Sequence, residues 1–256
     1  MIKAIFFDID GTLVSIKEGR MPLSTRQSLL KLRRKGIKTV IATGRYISEV
    51  KKLPVSNIHF DGYITLNGQL CYDGGLHMFS GHPIDEGEME VLSGIFRAKK
   101  IPFVLINAKK RYINYVNDTV VEVQGKTNGT VPDVGKYGGE KVYQICAFVS
   151  DEQKQTLKDL LDECNITSWN DMGIDIVPKG GGKVKGIEDY ITRNNIDRSE
   201  TMAFGDGEND MEMLSFAGIG VAMDNASDEV KAVADYVTDT VENDGIEKAL
   251  IHFGLL

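Results

Sequence analysis

Residues 3–7 form a β-branched and aromatic run that halts at Asp8, in the string Asp8-Ile9-Asp10-Gly11-Thr12-Leu13. Such a run reads as a buried strand of the kind that parallel sheets use. In an extended chain, residues two apart face the same side, so Asp8 and Asp10 project together past the strand's C-terminal end. Open α/β sheets gather their ligands along that edge. A turn or a helix cap would account for one aspartate. Two carboxylates directly after a buried run are harder to explain that way, because like charges this close need a proton or a cation.

The rest of the chain fits a sheet of this kind at both ends. Ser24-Thr25-Arg26-Gln27 has the pattern of a capping box, and Leu29, Leu30 and Leu32 follow before Gly36 closes a helix. Residues 37–42 read as a second buried strand, broken by Thr43-Gly44. Strand, helix and strand in this order predict a βαβ unit. The last third repeats the theme. A helix is predicted over 183–194, a strand over 201–204, a helix to 216, a strand over 219–221 and a helix from Ser227. A strand over 236–238 and a final helix capped by Asp244-x-x-Glu247 complete it.

The middle has a different grammar. Asp85-x-x-Glu88 caps a helix reaching Lys99, residues 103–106 and 112–116 read as a hairpin, and 143–149, 151–161 and 174–177 as strand, helix and strand. Gly81-His82-Pro83 and Gly180-Gly181-Gly182 bracket this stretch with turn-prone residues. The expectation is an α/β protein with a Rossmann-like parallel-sheet core made of residues 1–81 and 183–256, interrupted by an α+β domain over 82–182.

Charge narrows the function. Against 37 Asp and Glu stand 30 Lys and Arg, a net charge of −7, so no basic surplus exists for nucleic acid or an anionic membrane. A small phosphorylated substrate stays open, since one local cation or a metal serves it. Cys71, Cys146 and Cys164 are odd in number and form no CxxC pair, which predicts inert thiols in a reducing compartment. The opening MIKAIFFDIDG is too short for a secretory apolar region, and no run approaches the ~18 apolar residues of a spanning helix. A cytoplasmic enzyme or binding protein is expected; the sequence is silent on oligomeric state.

Three further segments carry chemistry. Thr43-Gly44-Arg45 offers a hydroxyl, a glycine amide and the start of a helix, an anion site if it is more than an N-cap. Gly205-Asp206-Gly207-Glu208-Asn209-Asp210 again follows a strand, and its oxygen donors suit Mg²⁺ better than zinc. A capping box or Asx turn would explain one of those residues but not all. Pro178-Lys179-Gly180-Gly181-Gly182-Lys183 fails as a P-loop, because Val177 stands at the first glycine and Val184 at the magnesium-binding hydroxyl. His59, His77, His82 and His252 lack metal-ligand spacing, and Lys109-Lys110-Arg111 reads as a solvated hairpin tip.

Taken jointly, Asp8-x-Asp10, Thr43, a lysine near 183 and Asp206 with Asp210 resemble the four signature motifs of the haloacid dehalogenase superfamily. The inserted segment looks like the Cof-like subfamily with a large α/β (type IIB) cap. Ile64-Thr65-Leu66-Asn67-Gly68 and Val221-Ala222-Met223-Asp224-Asn225-Ala226 are similar to its auxiliary motifs. The family usually has Lys-Gly at its third motif, whereas here Lys183 precedes Val184 and the Lys-Gly pair is Lys185-Gly186. Spacing from Pro178 favours Lys183, with Lys185 as the fallback.

The resemblance implies a phosphatase acting on small phosphorylated metabolites, sugar phosphates first, through an aspartyl-phosphate. It makes Asp8 the nucleophile and Asp10 the general acid and base. Ile9, Thr43, Gly44, Arg45, Lys183 and Asn209 would hold phosphate or substrate. Asp8, Asp10 and Asp206 would hold Mg²⁺, with Asp210 in outer support. A phosphomutase is the nearest alternative, and a phosphate-sensing module that performs no hydrolysis is a more distant one.

Overall fold

The structure, a computed structural model, describes residues 1–126 and 130–256. The first arm of the chain runs through β1 (Ala4–Phe7), α1 (Leu23–Arg34), β2 (Lys38–Ala42), the single turn α2 (Ile47–Val50), β3 (Gly62–Thr65), β4 (Leu70–Asp73) and β5 (Met78–Gly81). The middle supplies α3 (Glu86–Ala98), β6 (Phe103–Ile106), β7 (Arg111–Ile113), α4 (Asp118–Lys126), β8 (Gln144–Phe148), α5 (Asp151–Leu160), β9 (Cys164–Asn170) and β10 (Gly173–Pro178). The last arm is α6 (Lys183–Asn194), β11 (Thr201–Gly205), α7 (Met211–Phe216), β12 (Ile219–Ala222), α8 (Asp228–Ala232), β13 (Tyr236–Val237) and α9 (Gly245–His252). Two compact units result, Met1–Ser80 with Gly182–Leu256 and Gly81–Gly181. The divisions fall one residue ahead of the boundaries read from the sequence.

The discontinuous unit is built on an eight-stranded sheet of order β13-β12-β11-β1-β2-β3-β4-β5. β1 lies between β2 and β11 and is parallel to both, with Phe7 level with Ile41 and Phe204. The chain leaves β1 toward β2 on one side and later fills β11 to β13 on the other. The C-terminal end of β1 is therefore the point where strand order reverses, and a crevice opens there. Alternation within β1 feeds both faces. Ile5 and Phe7 pack with Leu29 and Leu32 of α1 and Ile246 and Leu250 of α9. Ala4 and Phe6 pack with Ile187 and Tyr190 of α6 and Met213 and Leu214 of α7. Phe7 stacks on Phe204 at 5.2 Å between ring centroids. Burying such a side chain contributes about 1.5–3 kcal/mol, which fixes the strand that carries Asp8.

The inserted unit is a five-stranded antiparallel sheet of order β7-β6-β8-β10-β9. Met89, Leu92 and Phe96 of α3 and Leu157 of α5 cover one face, meeting Phe103, Leu105, Ile145, Ala147, Ile174 and Ile176. Just past the edge strand β7, Asn114 is sealed from solvent. Its Oδ1 accepts from the Phe103 and Tyr115 amides, and its Nδ2 donates to the carbonyls of Phe96 and Ile101.

Several helix ends differ from the sequence reading. α1 begins at Leu23 after Pro22, so Ser24 already lies in its first turn and its hydroxyl donates to Asp244 instead of capping. Asp244 is left-handed (φ 60°) and makes no side-chain cap for α9. Asp85 does cap α3 by accepting from the Gly87 amide, but Glu88 accepts from the Glu163 amide rather than closing a box. Leu30 is exposed. The short strands β3, β4 and β5, the helix α4 and the edge strand β9 were not legible, because polar residues interrupt their patterns. Among the described residues, no helix is long and apolar enough to cross a membrane.

Candidate active site

The site grows out of the ends of three adjacent strands. Past β1, the Asp8 amide still donates to the Phe204 carbonyl of β11 (3.0 Å), so the sheet holds Asp8 itself. The chain then folds tightly back: the Val14 amide donates to the Ile9 carbonyl and the Gly11 amide to the Val14 carbonyl, both at 2.8 Å. Ile9, Leu13 and Val14 anchor this turn in the core. Gly11 is required in it. Its φ is +82°, and a Cβ there would lie 2.0 Å from Oδ2 of Asp206.

Around Asp8 the charges crowd. Lys183 opens α6, is 1% exposed, and donates from Nζ to Oδ1 of Asp8 and to Oδ1 of Asp210, each at 2.6 Å. Oδ2 of Asp210 accepts from the Asp206 and Gly207 amides, so this residue also does the capping work anticipated for an aspartate here. Asp8, Asp206 and Asp210 each present a carboxylate oxygen within 4.8 Å of the others. Three carboxylates thus face one ammonium. Burial would strip the Lys183 proton, but Asp210 and Asp8 outweigh it and hold the amine charged. Burial, with Asp210 and Asp206 beside it, drives the Asp8 carboxyl well above the usual range despite Lys183. Burial and Asp210 push Asp206 up to about 7. The donors are hard oxygens only, and their surplus negative charge is what a small divalent cation neutralises. The cluster can hold a metal ion.

Asp10 stands apart from that cluster and is gripped by Arg45, whose Nε and Nη2 donate to its two oxygens at 2.5 and 2.9 Å. A bidentate fork of this kind fixes the plane of a carboxylate. Thr43 and Gly44 follow β2, the Thr43 hydroxyl accepting from the Arg45 amide at 3.2 Å. The helix anticipated after them is only the one turn of α2. Asn209 approaches Gly44 through Asn67, to which its Nδ2 donates at 3.0 Å. Ile9 has its side chain wholly in the core, leaving only its backbone for the crevice. Lys185 points elsewhere, 3.6 Å from Asp189, so the structure sets Lys183 and not the fallback against Asp8.

Three residues escaped the sequence reading. Thr12 donates to Oδ1 of Asp206 at 2.9 Å, and Asn225 donates to Oδ2 of Asp206 and to the Gly11 carbonyl. Together they fix the plane of Asp206. Asn67 and Asn225 had only their place in auxiliary motifs as a signal. Thr12 sat within the Asp8 string itself. The cysteines are all free, and burial lifts Cys71 and Cys164 to about 12, which leaves them inert.

Comparisons with known proteins agree on one family. The sequence profile of haloacid dehalogenase-like hydrolases matches residues 5–250. YkrA of Bacillus subtilis (strain 168), a candidate phosphatase, is 33% identical over 99% of this chain and 98% of its own. The solved structure of the phosphatase BT1666 from Bacteroides thetaiotaomicron superposes with a TM-score of 0.92 at 34% identity, covering 100% of this chain and 96% of that one. The subclass IIB sugar phosphatase BT4131 gives a TM-score of 0.89 at 36% identity over 99% of this chain and 100% of its own.

Proposed function

The chain belongs to the haloacid dehalogenase-like hydrolases and is a phosphatase, and on that premise we propose that it hydrolyses small phosphorylated metabolites, sugar phosphates foremost, through an aspartyl-phosphate on Asp8. The observation that carries this reading is the ammonium of Lys183 lodged against Asp8 at 2.6 Å. A carboxylate meets a phosphate dianion only if a fixed cation offsets both charges. Similarity to a sugar phosphatase supports the substrate class.

An oxygen of Asp8 attacks phosphorus, a P–O bond forms, and the ester P–O bond breaks. Asp10, oriented by Arg45, gives its proton to the leaving oxygen. Asp10 then takes a proton from the incoming water, whose oxygen attacks the same phosphorus and frees Asp8 and inorganic phosphate. Thr43, the Gly44 amide, Lys183 and Asn209 hold the phosphoryl oxygens where charge develops. Asp8, the Asp10 carbonyl and Asp206 would bind Mg²⁺, with Asp210 supporting them; when bound, it cancels repulsion between carboxylates and phosphate. Free thiols fit a cytoplasmic setting.

The test is phosphate release from a panel of sugar phosphates with and without Mg²⁺, and without any bisphosphate activator. Asp10→Asn should slow sugar phosphates about 10²-fold or more in single turnover, and p-nitrophenyl phosphate much less, since a good leaving group needs little protonation. Equal losses on both would remove Asp10 as the acid. Turnover only with a bisphosphate present would favour a mutase.

A further inference from the structure

The β3–β4 connection is more contorted than a hairpin needs. Thr65 pairs with Leu70 across it, and three successive residues between them are left-handed: Leu66 (φ 52°), Asn67 (φ 51°) and Gly68 (φ 91°). Asparagine and glycine tolerate that region, but leucine does not do so freely. Strain of this kind persists where surrounding structure enforces it.

What enforces it is contact with every segment that presents a phosphate-holding group. The Leu66 amide donates to the Arg45 carbonyl (3.2 Å) and the Asn67 amide to the Thr43 carbonyl (3.0 Å), while the Thr43 amide donates back to Ile64 (2.9 Å). The turn is thus laced to the Thr43-Gly44-Arg45 loop. Gly68 lies so close to the approach to Lys183 that a Cβ would fall 2.0 Å from the Gly182 carbonyl oxygen. The Asn67 side chain, 5% exposed, lies over Gly44, where a Cβ would meet its Oδ1 at 3.1 Å and its Nδ2 at 3.2 Å. The same Oδ1 accepts from Nδ2 of Asn209 at 3.0 Å. One amide therefore touches both Gly44 and Asn209.

We infer that Asn67 is a positioning residue of the phosphate site: by accepting one proton of the Asn209 amide and packing on Gly44, it fixes where both meet the phosphoryl oxygens. The inference rests on the reading that Asn209 and Gly44 hold phosphate. It gives a purpose to the turn, whose backbone could otherwise be that of a simple connector. The chemical class recognised is a phosphate monoester dianion or inorganic phosphate.

Asn67→Gly separates the two roles, because glycine keeps the left-handed backbone and removes the amide. The experiment measures competitive inhibition by inorganic phosphate against p-nitrophenyl phosphate with Mg²⁺ present, in wild type, Asn67→Gly, Asn209→Ala and the double variant, alongside melting curves. Positioning through Asn209 predicts that Asn67→Gly weakens phosphate inhibition and kcat/KM about 10–100-fold with a nearly unchanged melting temperature. In the Asn209→Ala background the same change should add little. Asn67→Asp, of the same shape and equally tolerant of the turn, guards against misfolding of the glycine variant. Its carboxylate beside Gly44 should also weaken phosphate inhibition. Full additivity of Asn67→Gly and Asn209→Ala overturns the inference, as does a lowered melting temperature with unchanged phosphate inhibition. If Asn209→Ala alone leaves phosphate inhibition intact, the reading of Asn209 as a phosphate ligand falls and this inference with it. If Asn209→Ala weakens phosphate and Asn67→Gly does not, the inference falls alone.

Discussion

Asn114 in the inserted unit and Asp8 in the discontinuous one are both buried polar residues, yet they are treated in opposite ways. Asn114 is neutral, and each side of its amide meets a backbone partner in Phe96, Ile101, Phe103 or Tyr115. Asp8 shares the ammonium of Lys183 with Asp210 and has Asp206 beside it, so negative charge is left over. A buried group serving architecture is matched from within, because an orphaned one costs stability. A buried excess of charge persists only where something arriving from outside completes it. The contrast separates a part of the molecule selected for holding together from a part selected for holding a ligand.

The comparison breaks most easily at Asp8. Asp8→Asn should lower phosphate release about 10³-fold or more, since an amide is a poor nucleophile. It should also raise the melting temperature of the metal-free protein, because it removes one of the crowded charges. Near-normal release would sink Asp8 as nucleophile; a lower melting temperature would erase the contrast with Asn114. Next in size is Lys183→Ala, expected to cost about 10²–10³ in kcat/KM and to destabilise the fold by leaving carboxylates unpaired. Lys185→Ala, at a half-buried helix pair, should stay within about twofold of wild type. The reverse ranking would shift the third motif by two residues.

In the inserted unit the sign changes. Asn114→Ala strands several backbone groups and should cost about 2–3 kcal/mol of stability, read from denaturant melts, with Mg²⁺ affinity unchanged. The last effect is with pH. Burial and Asp210 raise Asp206 from 3.8 to about 7. Between those values the folded state keeps a proton that the unfolded chain has released. This contribution to stability is full below pH 3.8 and is lost as pH rises through about 7. The melting temperature of metal-free protein should therefore fall between pH 5 and 8, and saturating Mg²⁺ should flatten the curve. A flat curve without metal would show that the surplus charge is relieved some other way.

How much of this was legible follows from the same division. β1, β2 and α6 were readable because unbroken apolar runs or a clear helical period border on a polar residue: Asp8 and Thr43 follow β1 and β2, and Lys183 opens α6. Residues that act by touching across the chain were not. Thr12 and Asn225 meet Asp206 over separations of 194 and 19 residues, which no local pattern records. Asn67 stood out only as part of an auxiliary motif, with nothing local to link it to Gly44 or Asn209. In the middle of the chain, apolar and β-branched runs exposed β6, β8 and β10, whereas edge strand β9, with only one neighbour to satisfy, carries a polar sequence that hides it.

The sealing of Lys183 has a consequence for ionic strength. Dissolved salt weakens charge pairs that ions can surround, such as Arg20 with Glu18 or Lys126 with Glu122 on the surface. The side chain of Lys183 is 0% accessible, so mobile ions cannot come between it and its two carboxylates. Dilute buffer and concentrated brine therefore leave the internal ion balance of the crevice alike, while the surface pairs loosen around it.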